Sequence, residues 1–125
     1  MDEQSWVWPD AVAVLVDALT GVDVDHVGAR LPAPLPDTLV RVQRIGGTRG
    51  QVLDTARMLV EVWASWAIVS DVRDVIRRMP SAGAVTAAQE VSAPGLLTDP
   101  VSGRDFWLFT VQLILKPTPS PPLIP

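Results

Sequence analysis

The sequence predicts an α+β fold, with a mostly antiparallel sheet of about four to five strands and two main helices packed on one face. Three observations carry this. Val40 and Val42 alternate with Arg41 and Gln43, and Met58, Val60, Val62 and Ala64 alternate with Arg57, Leu59, Glu61 and Trp63, the period of two that marks a strand. Ile68, Val69, Val72, Val75, Ile76 and Met79 are spaced to give a helix one buried face. In the stretch from Phe106 to Lys116, Trp107, Phe109, Val111, Leu113 and Leu115 lie on one side, with Thr110, Gln112 and Lys116 on the other.

Taken in order, the polar residues 1–5 are expected to fray. Pro9 suits the first position of a helix, Asp10 favours that end electrostatically, and Gly21 is a natural stop. Between them Ala11 to Leu19 is apolar except for Asp17, so the helix is expected to be covered on most sides. Trp6 and Trp8 precede it, as a clamp at the helix entry or as a contact with a neighbouring chain. Val24 to Leu31 reads as a short edge strand, and LPAPLP, which cannot donate a regular ladder, as an extended connection. The central hairpin spans Asp37 to Ala64, with Gly46 to Gly50 expected as a projecting mobile loop. Apolar groups on both sides of its second strand, Leu59 and Trp63 among them, suggest a central strand covered by helices on one face and by more protein on the other.

Ser65 can cap the second helix, Pro80 closes it, and its charges, with Asp74 and Arg78 at i,i+4 spacing, form a solvated face. Val85 to Val91 is a weak strand ended by Pro94 and Gly95, and LLTDPVSGRD is a loop. Residues 1–116 thus form one domain, followed by a proline-rich tail over 117–125 that is too poor in packing groups for anything but an extended arm or a disordered end.

Composition narrows the classes. A chain of 125 residues suits a single core. Its hydrophobic fraction of 48% and mean hydropathy of +0.27 are high, yet no apolar run reaches the ~20 residues of a membrane span, so the surplus points to a subunit interface. The acidic start MDEQSWVWPD lacks a signal peptide's cationic region, and an intracellular protein is expected. A net charge of -4 argues against general nucleic-acid affinity, and the absence of cysteine excludes disulfides, Cys-ligated zinc and thiol nucleophiles.

Chemistry is sparse. The carboxylates form no convergent pair, His26 is the only imidazole, and Ser65, Ser70 and Ser92 lack a nucleophile-elbow context, so no catalytic, cofactor or metal site is expected. Glycines 46, 47 and 50 lack the GK[ST] ending of a phosphate loop. The one cationic concentration is Arg41, Arg44, Arg49 and Arg57 on the hairpin, either solvated partners of carboxylates such as Asp54 and Glu61 or a docking surface for an acidic protein.

Together, WPDAVAVLVDAL, DTLVRVQRIGGTRG, RMLVEVWA and EVSAPGLLTDPVSGRDFWLFTVQLIL make residues 6–116 resemble the tail terminator proteins of long-tailed bacteriophages, most closely the small versions from phages of high-GC hosts. The pieces that carry it are VRVQRIGG at Val40 to Gly47 and FTVQL at Phe109 to Leu113. The resemblance implies a non-enzymatic ring, usually a hexamer, that caps the last ring of tail tube protein, ends tube growth and meets the head completion protein while DNA passes through its lumen. It places the protein in the virion at the head-tail junction, and in host cytoplasm during assembly. The expected interface is Arg41, Arg44, Thr48, Arg49, Arg57, Leu59, Trp63 and Trp107, with the loop Gly46 to Gly50 reaching an adjacent subunit or the tube. A head-tail adaptor or head-closure protein is the nearest alternative, and a ferredoxin-like ligand-binding regulatory domain a more distant one.

Overall fold

The computed structural model describes residues 6–81 and 83–119; the stretch expected to fray at 1–5 and the tail from residue 120 lie outside the described residues. In chain order the elements are β1 (Trp6–Val7), α1 (Ala11–Leu19), β2 (His26–Gly28), β3 (Leu39–Arg49), β4 (Asp54–Trp63), α2 (Trp66–Arg78), a 3-10 turn (Met79–Ser81), β5 (Val85–Thr98), β6 (Asp105–Leu115) and β7 (Thr118–Pro119). Five strands form one sheet in the order β2-β3-β4-β6-β5, and β1 pairs with β7 in a two-residue ladder. The α+β class and the mostly antiparallel sheet follow the expectation from sequence.

Strand parity divides the sheet. Val40 and Val42 of β3, Ala56, Met58, Val60 and Val62 of β4, and Phe109, Val111, Leu113 and Leu115 of β6 form one buried core with Ala11, Leu15 and Leu19 of α1 and Val69, Val72 and Ile76 of α2. Both helices therefore lie on one face, since residues two apart in a strand point the same way. β4, apolar on both sides, is the middle strand.

Four expectations change in detail. Pro9 precedes α1 and does not open it: Asp10 is the cap, its Oδ1 accepting the N–H groups of Val12 at 2.9 Å and Ala13 at 3.3 Å. The edge strand shrinks to β2, which runs parallel to β3 because the proline-rich connection carries the chain back to the same end of the sheet before it pairs. Asp25 and Thr38 lock that arrangement by exchanging backbone and side-chain hydrogen bonds at 2.9 and 3.2 Å. Third, β5 does not end at Pro94 but runs on to Thr98, tolerated because it is an edge strand whose register shifts between Glu90 and Ser92 and between Ser92 and Gly95. The loop after it contracts to a turn in which Asp99 accepts from the Val101 and Ser102 backbone and the Ser102 hydroxyl.

The fourth change matters most. Gly46 to Arg49 are not a mobile loop; they continue β3, opposite Arg57, Ala56, Thr55 and Asp54, after a one-residue bulge at Ile45. Only residues 50–53 turn, closed by the Gly50 N–H donating to the Leu53 carbonyl at 2.8 Å. Gly47 makes the close pairing possible: its φ is +105°, and a Cβ there would stand 1.9 Å from the Thr55 carbonyl oxygen.

Two neighbouring glycines should accordingly respond in opposite ways. Gly47→Ala should lower stability by at least about 1–3 kcal/mol in urea unfolding, whereas Gly46→Ala, whose Cβ meets nothing within 4 Å, should stay within about 0.5 kcal/mol of the parent.

Candidate functional site

Three of the four hairpin arginines, Arg41, Arg44 and Arg49, pair with carboxylates of the same chain. Asp54, at the start of β4, is 0% exposed, and Arg44 grips both of its oxygens at 2.7 Å while Arg49 approaches at 3.6 Å. A fork of parallel N–H donors on one carboxylate is the strong form of this pair. The bulge at Ile45 is what allows it. Residues five apart in a regular strand point to opposite faces; the extra residue restores Arg49 to the face of Arg44 and Asp54. Arg49 also lies over the Trp8 ring at 4.9 Å, so Trp8 meets the hairpin, and through it the segment leading into α1 is tied to β3.

On the other face no helix of the described residues packs. Arg41 of β3 pairs with Glu61 of β4, which is buried beneath it. Leu59 is half-buried beside them, and the exposed Arg57 donates weakly to Gln112 at 3.5 Å. Trp63 is 3% exposed, but its cover comes from its own chain: Phe106 stacks on it at 4.6 Å, and Arg104 lies over it at 5.5 Å while donating to the carbonyls of Pro36 at 2.8 Å and Asp37 at 2.5 Å. The Trp63 Nε1–H finds no acceptor among the described residues.

The structure thus sorts the predicted interface residues. Arg44 and Arg49 stand together at the Asp54 node, Arg41 is engaged with Glu61, and Thr48 is exposed on the ladder opposite Thr55. Trp107 points to the helix side and meets Trp66 edge-on at 4.9 Å. The carboxylate partnerships weighed in the sequence are the ones formed, and an arginine loop free to reach out is not.

The exposed apolar groups lie elsewhere. Val52 and Leu53 are exposed at the tip of the β3-β4 hairpin, and Ile45 at the bulge four ladder pairs below it. Leu96, Leu97 and Val101 lie at the β5-β6 turn, at the opposite end of the sheet, since Leu115 of β6 pairs with Asp54 while its other end pairs with Leu97 and Thr98. Apart from Val52, which alternates with nothing legible, these could have been marked from sequence as apolar residues flanking turn signals.

Among the described residues no three His, Cys, Asp or Glu side chains gather as metal ligands, and no helix is long and apolar enough to cross a membrane. What the fold and its surface define is a two-layer α+β domain with apolar groups exposed at both ends of its sheet and with Arg41, Arg44 and Arg49 paired to carboxylates of the same chain. No protein-family model matches the sequence, and the search of curated proteins returns no significant match.

The node has a pH signature. Hydrogen bonding from Arg44, with the charges of Arg44 and Arg49, holds the Asp54 carboxyl below the ordinary aspartate range against the opposing effect of burial. Because the folded value is depressed, the stabilisation is present above the unfolded value near ~4 and is lost as pH falls through the folded value. Urea unfolding of the parent should therefore weaken through the acid range more steeply than that of Asp54→Asn. Arg44→Ala should cost about 3 kcal/mol at neutral pH, the low end for breaking a buried pair because the Arg44 side chain is itself 31% exposed.

Proposed function

We propose that this chain is a non-enzymatic assembly protein of a long-tailed bacteriophage, a tail terminator that forms a ring, usually a hexamer, on the end of the tail tube, stops tube growth and offers a surface to the head completion protein. The observation that carries the reading is the pair of unlike apolar ends. Beside single exposed groups at Trp6, Val7, Leu31, Ile45, Trp66 and Val91, a subunit with non-equivalent apolar patches at its two ends, Val52 and Leu53 at one and Leu96, Leu97 and Val101 at the other, has separate surfaces for separate neighbours. Contacts between unlike surfaces run head to tail, and such contacts close into rings when the rotation permits. The resemblance of VRVQRIGG and FTVQL supplies the identity of the ring, and the acidic balance of the chain suits a lumen through which DNA slides without being gripped.

The mechanism assigned earlier to an arginine loop moves to the hairpin tip. Arg44 and Arg49 are committed to Asp54, so removing both would unseat the hairpin and blur any effect on docking. Val52 is 70% exposed in the turn, which makes it the better probe.

Purified protein added to polymerising tube protein from the same genome should arrest elongation and appear by electron microscopy as a ring at one tube end. Val52→Asp should leave unfolding within about 0.5 kcal/mol of the parent and weaken capping several-fold. Tubes growing to equal length with and without the parent protein would end the reading.

A further inference from the structure

Between α2 and β5 the helix layer leaves a pocket of about 140 Å³, floored by Ile76, Ala88, Phe109 and Val111. Its rim carries Arg73, Arg77 and Glu90. Arg73 is fixed there by Glu90, which accepts from Nε at 2.7 Å and from Nη2 at 2.9 Å, and Arg77 is held more loosely by Asp74 at 3.1 Å. A cavity of ~150 Å³ with apolar walls takes a benzene-sized guest, so this one has room for a single aliphatic side chain.

At the β5-β6 turn the chain presents such a group. Val101 is 93% exposed, the most exposed of the large hydrophobic residues among the described residues, on a turn with its own internal bonding. It is flanked by two carboxylates, Asp99 and Asp105, whose partners are the neutral hydroxyls of Ser102 and Thr98. Those bonds orient the carboxylates and leave their charge uncancelled; the hydroxyl and backbone N–H of Ser102 hold the Asp99 carboxyl below its usual range. Arg104, the nearby cation, is turned back to the Pro36 and Asp37 carbonyls.

We propose that Val101 of one copy of this chain seats in the Ile76-Phe109 pocket of the next, with the acidic turn that carries Asp99 and Asp105 facing Arg77 on the rim. Knob and hole match in size, and although Arg73 is spent on Glu90, Arg77 is 68% exposed and held to Asp74 through Nη1 at 3.1 Å, which leaves it donors for an incoming carboxylate. The two surfaces differ, so the contact is head to tail and can propagate from copy to copy. It names the lateral contact within the proposed ring and in that respect rests on the ring reading; the β3-β4 hairpin tip is left free for the tube.

The absence of cysteine from the chain allows a direct test. A Val101→Cys chain is mixed with an Ala88→Cys chain, in free solution and on tube ends, and oxidised gently, since thiols bridge only when their Cα atoms come within about 7 Å. The mixed disulfide dimer should form several-fold faster than in a control mixture of Val52→Cys with Ala88→Cys, and adding Arg77→Glu to the Ala88→Cys chain should slow it several-fold. A rate no better than the control in either setting overturns the contact. If the parent caps tubes as a ring without this cross-link, the ring stands and the knob falls; if the cross-link forms and no tube is capped, the contact stands and the tube assignment falls.

Discussion

The carboxylate of Asp54 is the constraint around which this molecule is arranged. It is fully buried at the first residue of the central strand, where an unpaired charge would be intolerable, so two guanidinium groups must reach it. Arg44 and Arg49 can do so together only because Ile45 bulges out of the ladder, and the ladder can resume only because Gly47 has no side chain to strike Thr55. A single charge thus fixes the register of the outer half of the hairpin. Through Arg49 and Trp8 it also holds the approach to α1.

From that node the two faces of the sheet take different courses. The helix side is an ordinary dry core of valine, leucine, isoleucine and methionine with Phe109, closed by α1 and α2. The other side is covered by long side chains lying on each other: Arg41 on Glu61, Phe106 on Trp63, and Arg104 reaching across to the proline-rich connection. Aromatic and guanidinium groups can shield a strand in this way because each carries a broad apolar surface with its polar atoms at the edge. Trp63, which in sequence looks like surface left over for another subunit, is thereby consumed within the chain.

That redistribution changes where an assembly protein of this shape would be sticky. Part of the surplus apolar surface lies at the two ends of the sheet, on the hairpin tip and on the β5-β6 turn, and the rest is scattered over β1, the start of α2 and single positions such as Ile45 and Val91. Ends suit a ring subunit well, because a neighbour that docks on an end leaves the sheet and its core undisturbed. Rigidity follows from the same design: both turns are short and internally bonded, by Gly50 to Leu53 in one and by Asp99 to Gly103 and Arg104 in the other, so little ordering is left to oppose association.

The sequence alone determined the fold class, the order of the two helices and the five strands of the main sheet, though not the β1-β7 ladder, together with the middle position of β4 and the inward faces of α2 and β6. These depend on which side chains recur at a period of two or near four, a property of neighbours along the chain. The pairing of hairpin arginines with Asp54 and Glu61 was legible as one of two options, because opposite charges on adjacent strands seek each other. Only the tertiary structure decided that Gly46 to Arg49 form a ladder, that β5 passes through Pro94, that β2 runs parallel, and that Trp63 is covered from within. Each of these turns on what lies across the sheet: a bulge that reverses parity, an edge where a missing N–H leaves no bond unmade, a connection that returns to the same end, and an arginine 41 positions away that closes over an indole. Distances through space, which no local pattern encodes, set all four.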